Sequence, residues 1–227
     1  MKRREWFSLI EAYFLSCIPN SCQWGALQGS FPILLVPGYF HNGGVWGYHA
    51  KRFLQQGFGP IFSLHWGHSF HSIEELALRV NQRVEEIVQI TQREELLIIG
   101  HSMGGLVAIY YALKLAPRGR CKGVVTLSSP LQGTSLARYG LGKCARQMEP
   151  HSVLLEELSP LLAKQREIPL FHLATKGDFF IRPYTSALPP SLGGQCLLEK
   201  IGHTSLLFSS EVHEKICAWI QATFHLA

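Results

Sequence analysis

Aspartate is almost missing from this sequence: Asp178 is the one example in 227 residues, and every other acid is a glutamate. Charge as a whole is sparse, at 16% of residues against 47% hydrophobic, a balance that excludes wholesale disorder and suits one well-buried domain. No Asp, Glu, Lys or Arg occurs between Ala12 and Ala50, yet Pro19, Asn20 and several glycines interrupt that stretch and exclude a membrane-spanning helix there. The six cysteines form no CxxC pair and no closely spaced Cys/His set, so neither a structural zinc site nor a redox dithiol is indicated. Reduced thiols are the default; only Cys17 and Cys22 are placed to pair, should the protein be exported. The formal charge of +5 comes from scattered basic residues, apart from Lys2, Arg3 and Arg4, and lacks the basic stripe of a nucleic-acid binder. It serves solubility or attraction to anionic surfaces.

The amino terminus, MKRREWFSLIEAYFLSCIPNSCQW, starts like a signal peptide but carries Glu11 inside the apolar region and no clean small-residue cleavage pattern. As a helix it would gather Trp6, Ile10, Tyr13, Phe14 and Cys17 on one face, with Glu5, Ser8 and Glu11 opposite. That face would pack on the domain; the rival reading is peripheral membrane contact through residues 1–18. This leader favours the cytoplasm or a membrane surface and leaves export open. We therefore expect a helical extension over residues 1–30, one domain over 31–227, and a monomer.

No internal repeat is present. Short β-branched or leucine-rich runs alternate with longer amphipathic ones, which argues for an α/β fold: a mostly parallel sheet with helices on both faces. Six strands are expected, Ile33 to Val36, Ile61 to Leu64, Leu96 to Ile99, Gly123 to Leu127, Leu170 to Ala174 and Cys196 to Glu199, all central and buried. The clearest helix is Ile73 to Thr91, where Ile73, Leu76, Val80, Val84, Ile87 and Val88 recur at three and four and Ser72 with Glu75 makes a capping box. Further helices are expected from Met103 to Leu115 and from Ser210 to Thr223.

LLIIGHSMGGLVAIYYA, Leu96 to Ala112, sets a serine between a strand and a helix. G-x-S-x-G in that context is a nucleophile elbow: Gly100 and Gly104 remove side chains where strand and helix approach, and the turn pushes the Ser102 hydroxyl outward. A hydroxyl needs a base, and the base needs an orienting group. His203, in KIGHTSLL, follows the last expected strand, on the crevice edge where Ser102 stands. Asp178, in ATKGDFFIRP, follows the strand before it and is the expected acid, with Glu199 in reserve. The first strand stops at Pro37-Gly38, so the N–H of Tyr39 is the expected oxyanion donor, partnered by that of Met103. Phe40, His41, Leu131 and Phe179 are expected around the substrate, although an exposed loop position is the plainer reading of His41. His101 would position the turn. His65, His68 and His71, at spacing three, invite a metal reading, but no carboxylate is near and Gly67 disfavours a single helix; an aromatic loop accounts for them better.

With Ser102, Asp178 and His203 in that order, the chain resembles the α/β-hydrolases over most of residues 30 to 222, and within them the lipase and esterase branch of bacterial triacylglycerol lipases and their PGAP1-like relatives. VVTLSSPLQGTSLARYG is similar to that branch's T-P-x-x-G-[ST]-x-x-A segment, GDFFIRPYTSAL to its D-x-x-V-x-P-x-x-S pattern, and GHTSLL to its histidine loop. Two departures stand out: Pro37-Gly38 replaces the usual His-Gly, and SSPLQG lacks the common histidine of T-P-H-H-G. The resemblance implies an α/β-hydrolase sheet and hydrolysis of lipid or other carboxylic esters through an acyl-enzyme, with no cofactor or metal. It also implies a short insertion over about 131–166, where Leu154, Leu155, Leu158, Leu161 and Leu162 would form either a small lid or ordinary core. The same three residues would serve an acyltransferase or thioesterase, and a ligand-binding homologue is a third reading.

Overall fold

Four buried residues in a row, Ile33–Val36, can form a strand only if both of its faces are covered, and this requirement organises the whole molecule. The computed structural model describes Glu5, Ser8 and residues 22–27, 29–67 and 70–225. In chain order the strands are β1 (Gln23–Trp24), β2 (Ile33–Val36), β3 (Ile61–Ser63), β4 (Leu96–His101), β5 (Cys121–Leu127), β6 (Leu170–Thr175) and β7 (Gly194–Leu198). They form one seven-stranded sheet in the order β1-β3-β2-β4-β5-β6-β7; β1 is antiparallel to β3 and every other pair is parallel.

The helices are α1 (Gly47–Gln55), α2 (Ile73–Thr91), α3 (Met103–Tyr110), α4 (Gly142–Gln147), α5 (Val153–Lys164) and α6 (Ser210–Phe224). Side chains alternate along each strand, so β2 and β4 send Leu34, Val36, Leu96 and Ile98 into one core with α2, α3 and α5. Their neighbours Ile33, Leu35, Leu97 and Ile99 meet α1 and α6 in the other. The α2 stripe lies inward as its spacing predicts, and both halves of the capping box are made: Ser72 Oγ accepts from the Glu75 N–H at 3.2 Å while Glu75 accepts from the Ser72 N–H at 2.8 Å. Helix α3 is buried on all sides from Met103 to Ile109 and ends in a π turn, Tyr111–Leu115.

Two expectations change, and one left open is decided. The sheet has a seventh strand, β1, whose Gln23 and Trp24 pair with Phe62 and Ile61 inside the segment read as an extension; two residues are too few to show an alternation. The last strand is not central: β7 is the sheet edge, and only Leu198 of it is buried. Leu154, Leu155, Leu158 and Leu162 lie in the core against α2 and α3, leaving Leu161 as the exposed member of the set. The expected face of Trp6, Ile10, Tyr13, Phe14 and Cys17 falls outside the described residues, as does His68. No helix among the described residues is long and apolar enough to cross a membrane.

Helices α1 and α6 are joined by buried histidines whose proton positions follow from their partners. His49 Nε2 donates to the Leu206 carbonyl at 3.0 Å, so its Nδ1 accepts from His213 Nδ1 at 3.4 Å, and His213 Nε2 accepts from the Cys217 thiol at 3.3 Å. Each ring is neutral in this arrangement. Burial holds His49 and His213 down at about 4, and does the same to His172, which pairs with Thr126 in the sheet.

Two predictions follow from the packing. Leu158→Ala should cost about 2–5 kcal/mol in urea unfolding, whereas Leu161→Ala should cost less than about 1 kcal/mol; equal costs would place α5 outside the core. Because the unfolded chain protonates these histidines near 6.5 and the folded one only near 4, the unfolded state binds more protons between those values. Stability should therefore fall as pH drops through that window, by up to about 1.4 kcal/mol per pH unit for each histidine. A flat urea midpoint across it would contradict the buried neutral rings.

Candidate active site

The chain turns one way from β2 to β3 and the other way from β4 onward, so the loops after β2 and β4 part and leave a crevice at the carboxyl edge of the sheet. Ser102 stands there, between β4 and α3, with φ 55° and ψ −128°, a backbone conformation that L residues adopt only when their surroundings impose it. A side chain at Gly100 would collide with the backbone of Gly104 and Gly105, and one at Gly104 with the carbonyls of Val36 and Pro37. These contacts press the start of α3 against β2 and leave Ser102 at the apex. Gly38 packs on the serine from the other side, where an added Cβ would lie 3.0 Å from Ser102 Cβ. The backbone at Tyr39 thus passes beside the helix start that carries the Met103 N–H.

Asp178 follows β6 and His203 precedes a 3-10 turn, Thr204–Phe208. Asp178 Oδ2 lies 2.7 Å from His203 Nδ1, and Oδ1 accepts from the N–H groups of Phe180 at 2.8 Å and Ile181 at 2.9 Å. Both side chains are buried. Burial pushes the carboxyl up, but His203 and the N–H donors outweigh it and hold Asp178 below its ordinary value, so it is ionised at neutral pH. The reserve acid, Glu199, instead pairs with Lys176 at 2.7 Å.

Two further rings stand beside His203. His101 is tilted against it with centroids 4.6 Å apart, and His41 stacks on His101 at 5.9 Å. His101 Nε2 donates to the His203 carbonyl at 3.1 Å, so it anchors the histidine loop as well as occupying the elbow. Burial, reinforced by His203, holds His41 at about 4 and pushes His101 well below the ordinary imidazole value; both are neutral.

Ser102 and His203 open on one cavity of about 540 Å³, walled by Leu136, Ala137, Leu141, Met148 and Ile181 among others. Tyr39, Phe40 and His41 line it, so His41 is a half-buried wall residue and not the exposed loop histidine of the plainer reading, while Phe180 takes the place expected of Phe179. Phe179 points outward beneath the Arg182 guanidinium, and Leu131 is absorbed into the core. The sequence reading missed Thr134. Its Oγ1 donates to the Phe180 carbonyl at 2.7 Å and accepts from the Arg182 N–H at 2.9 Å, tying the loop after β5 to the turn that presents Asp178. The Tyr39 hydroxyl likewise donates to the Leu141 carbonyl at 2.6 Å and accepts from its N–H at 2.8 Å, fixing one side of the mouth. Among the described residues no group of three or more His, Cys, Asp or Glu is placed to hold a metal ion; His71 faces Arg79 at 2.8 Å.

A mostly parallel sheet with a strained serine on its strand-to-helix turn, and an Asp–His pair on the following strand ends, defines the α/β-hydrolase class. The model of the alpha/beta hydrolase fold family matches residues 32–163, over half of the chain, and the protein belongs to that family. A comparison with curated proteins found no match. Among solved structures, a Bacillus licheniformis lipase is 12% identical, with a TM-score of 0.71 over 90% of this chain and 98% of its own. A monoacylglycerol lipase of Paleococcus ferrophilus is 17% identical, with a TM-score of 0.68 over 90% and 98%. A lipase-esterase related protein from Clostridium acetobutylicum is 16% identical, with a TM-score of 0.66 over 88% and 99%. At these identities the likeness is one of fold.

Thr134→Val keeps the shape but removes a donor and an acceptor from the acid loop, and should lower stability by about 1–3 kcal/mol, with Thr134→Ser close to wild type. Urea unfolding of the three proteins checks this; an unperturbed Val variant would show that the loop holds itself.

Proposed function

We propose that the protein is a serine hydrolase of carboxylic esters, with Ser102 as nucleophile, His203 as general base and Asp178 as the group that orients it. The observation that carries this reading is the buried 2.7 Å contact between the only aspartate and His203, on a ring that shares one apolar cavity with Ser102. Ser102 Oγ attacks the ester carbonyl while its proton passes to His203 Nε2. The N–H groups of Tyr39 and Met103 receive the oxyanion. His203 then gives the proton to the departing alkoxide, leaving an acyl group on Ser102. Water attacks that acyl-enzyme, with His203 taking the water proton and returning it to Ser102 as the carboxylic acid leaves. Asp178 stays ionised throughout and stabilises the imidazolium.

The cavity argues for an apolar acyl chain. Its walls are largely aliphatic, its volume is in the range of small-molecule sites, and its mouth carries exposed aromatic residues, with Phe40 61% and Tyr139 72% exposed. Phe40 also meets Phe70 edge to face at 5.8 Å. Lipid esters fit such a surface, and lipases are among the solved structures that share the fold. No step requires a cofactor or metal.

A fluorophosphonate probe should label the wild-type chain and fail to label Ser102→Ala. With p-nitrophenyl esters, each acyl CH2 buried in the cavity is worth about 0.8 kcal/mol, so kcat/KM should climb roughly fourfold per carbon until the cavity is filled. Labelling that persists in the alanine variant would remove Ser102 from the reading. Asp178→Ala should lower turnover by about 10⁴-fold in a folded protein, and near-normal turnover would hand its role to another acid.

A further inference from the structure

His203 occupies the position before the first residue of the 3-10 turn Thr204–Phe208, where a short polar side chain ordinarily accepts from the turn's first free N–H groups. Its ring is committed to Asp178 and makes no cap hydrogen bond. The missing acceptor comes from the other end of the chain. Glu5 Oε1 accepts from the Thr204 N–H at 2.8 Å, and Oε2 accepts from the Ser205 N–H at 3.4 Å and from the Ser205 hydroxyl at 2.6 Å. Ser8 adds a second contact, its hydroxyl 3.1 Å from that of Ser205. A carboxylate at the start of a helical turn also meets the positive end of the peptide dipoles.

The seat is shaped for this side chain. Any Cβ at Gly202 would collide with the Glu5 carboxylate, so the glycine just before His203 is what admits it. His203 is thus gripped at three points: its ring by Asp178, its carbonyl by His101, and the N–H groups after it by Glu5. The middle of the turn is held separately, at the Leu206 carbonyl, by His49.

We propose that Glu5 is a positioning residue for His203, acting through Thr204 and Ser205 and touching neither substrate nor the reacting atoms. The proposal rests on the reading of His203 as general base. It gives residues near the amino terminus a part in the chemistry, although they lie outside the span matched by the family model. Without the Glu5 carboxylate the N–H groups of Thr204 and Ser205 turn to water, and the loop carrying the ring gains freedom relative to Ser102. Displacements of about 1 Å in such a group cost on the order of 10²-fold in rate.

The test uses the full chain with Glu5→Ala, Glu5→Gln and Gly202→Ala, the last of which keeps the glutamate but fills its seat. In thermally verified folded protein, Glu5→Ala and Gly202→Ala should each lower kcat for a soluble short-chain ester by about 10- to 100-fold at nearly constant KM. Glu5→Gln, which keeps one acceptor oxygen, should fall between these and wild type. The double variant should be no slower than either single one, because both changes empty the same seat. In parallel, the Cε1–H resonance of His203, assigned with His203→Gln, should move or broaden in both single variants. Wild-type kcat with an unmoved His203 resonance in Glu5→Ala and Gly202→Ala would overturn the proposal, as would losses that multiply in the double variant. A wild-type protein that hydrolyses no ester would count against the proposed function instead, and the resonance would still report whether Glu5 holds the ring.

Discussion

A charged carboxylate buried beside a histidine is the interaction on which the site depends. Taking Asp178 out of water is costly unless nearly every lone pair finds a donor. Here two backbone N–H groups of its own turn and the His203 ring supply them. That requirement dictates the geometry of the turn from Asp178 to Arg182, and through Thr134 it extends to the loop after β5. One short side chain therefore sets the conformation of two loops that wall the cavity. An acid one methylene longer, such as the glutamates elsewhere in the chain, would not reach both N–H groups from the same backbone position.

The sheet does the rest by placing ends of strands side by side. Parallel pairing of β2, β4, β5 and β6 brings every carboxyl terminus to one edge, so residues more than a hundred positions apart in sequence meet without any special contact to draw them together. Contacts between glycine and backbone then fix how far each loop departs from that edge. Strain at Ser102 persists because the surrounding packing, between Gly38 on one side and Gly104 and Gly105 on the other, leaves the serine no alternative.

Much of this was legible in the sequence because the chemistry is local. Buried strands carry continuous apolar runs, α2 carries an amphipathic period with its own cap, and the elbow carries glycines whose spacing follows from the turn. The scarcity of aspartate singled out Asp178 before any coordinates. Four features were hidden for physical reasons. Strand β1 is two residues long and has no period. Strand β7 reads like the buried strands but has a neighbour on one side only. The choice between Phe179 and Phe180 depends on how a turn rotates, not on composition. Glu5 contacts Thr204 across 199 positions, a distance over which no spacing rule operates.

The same logic explains why so many histidines surround one site without competing for its chemistry. His41, His101 and His203 stand in a file, yet only His203 has a carboxylate partner. Burial away from any acid keeps the other two neutral, and a positive charge forming on His203 would penalise protonation of either still further. In the proposed reaction the proton leaving Ser102 therefore has one destination, and His101, held neutral, keeps the fixed N–H that its bond to the His203 carbonyl requires. On that reading the residue that could have been a rival base serves instead to hold the proposed base in place.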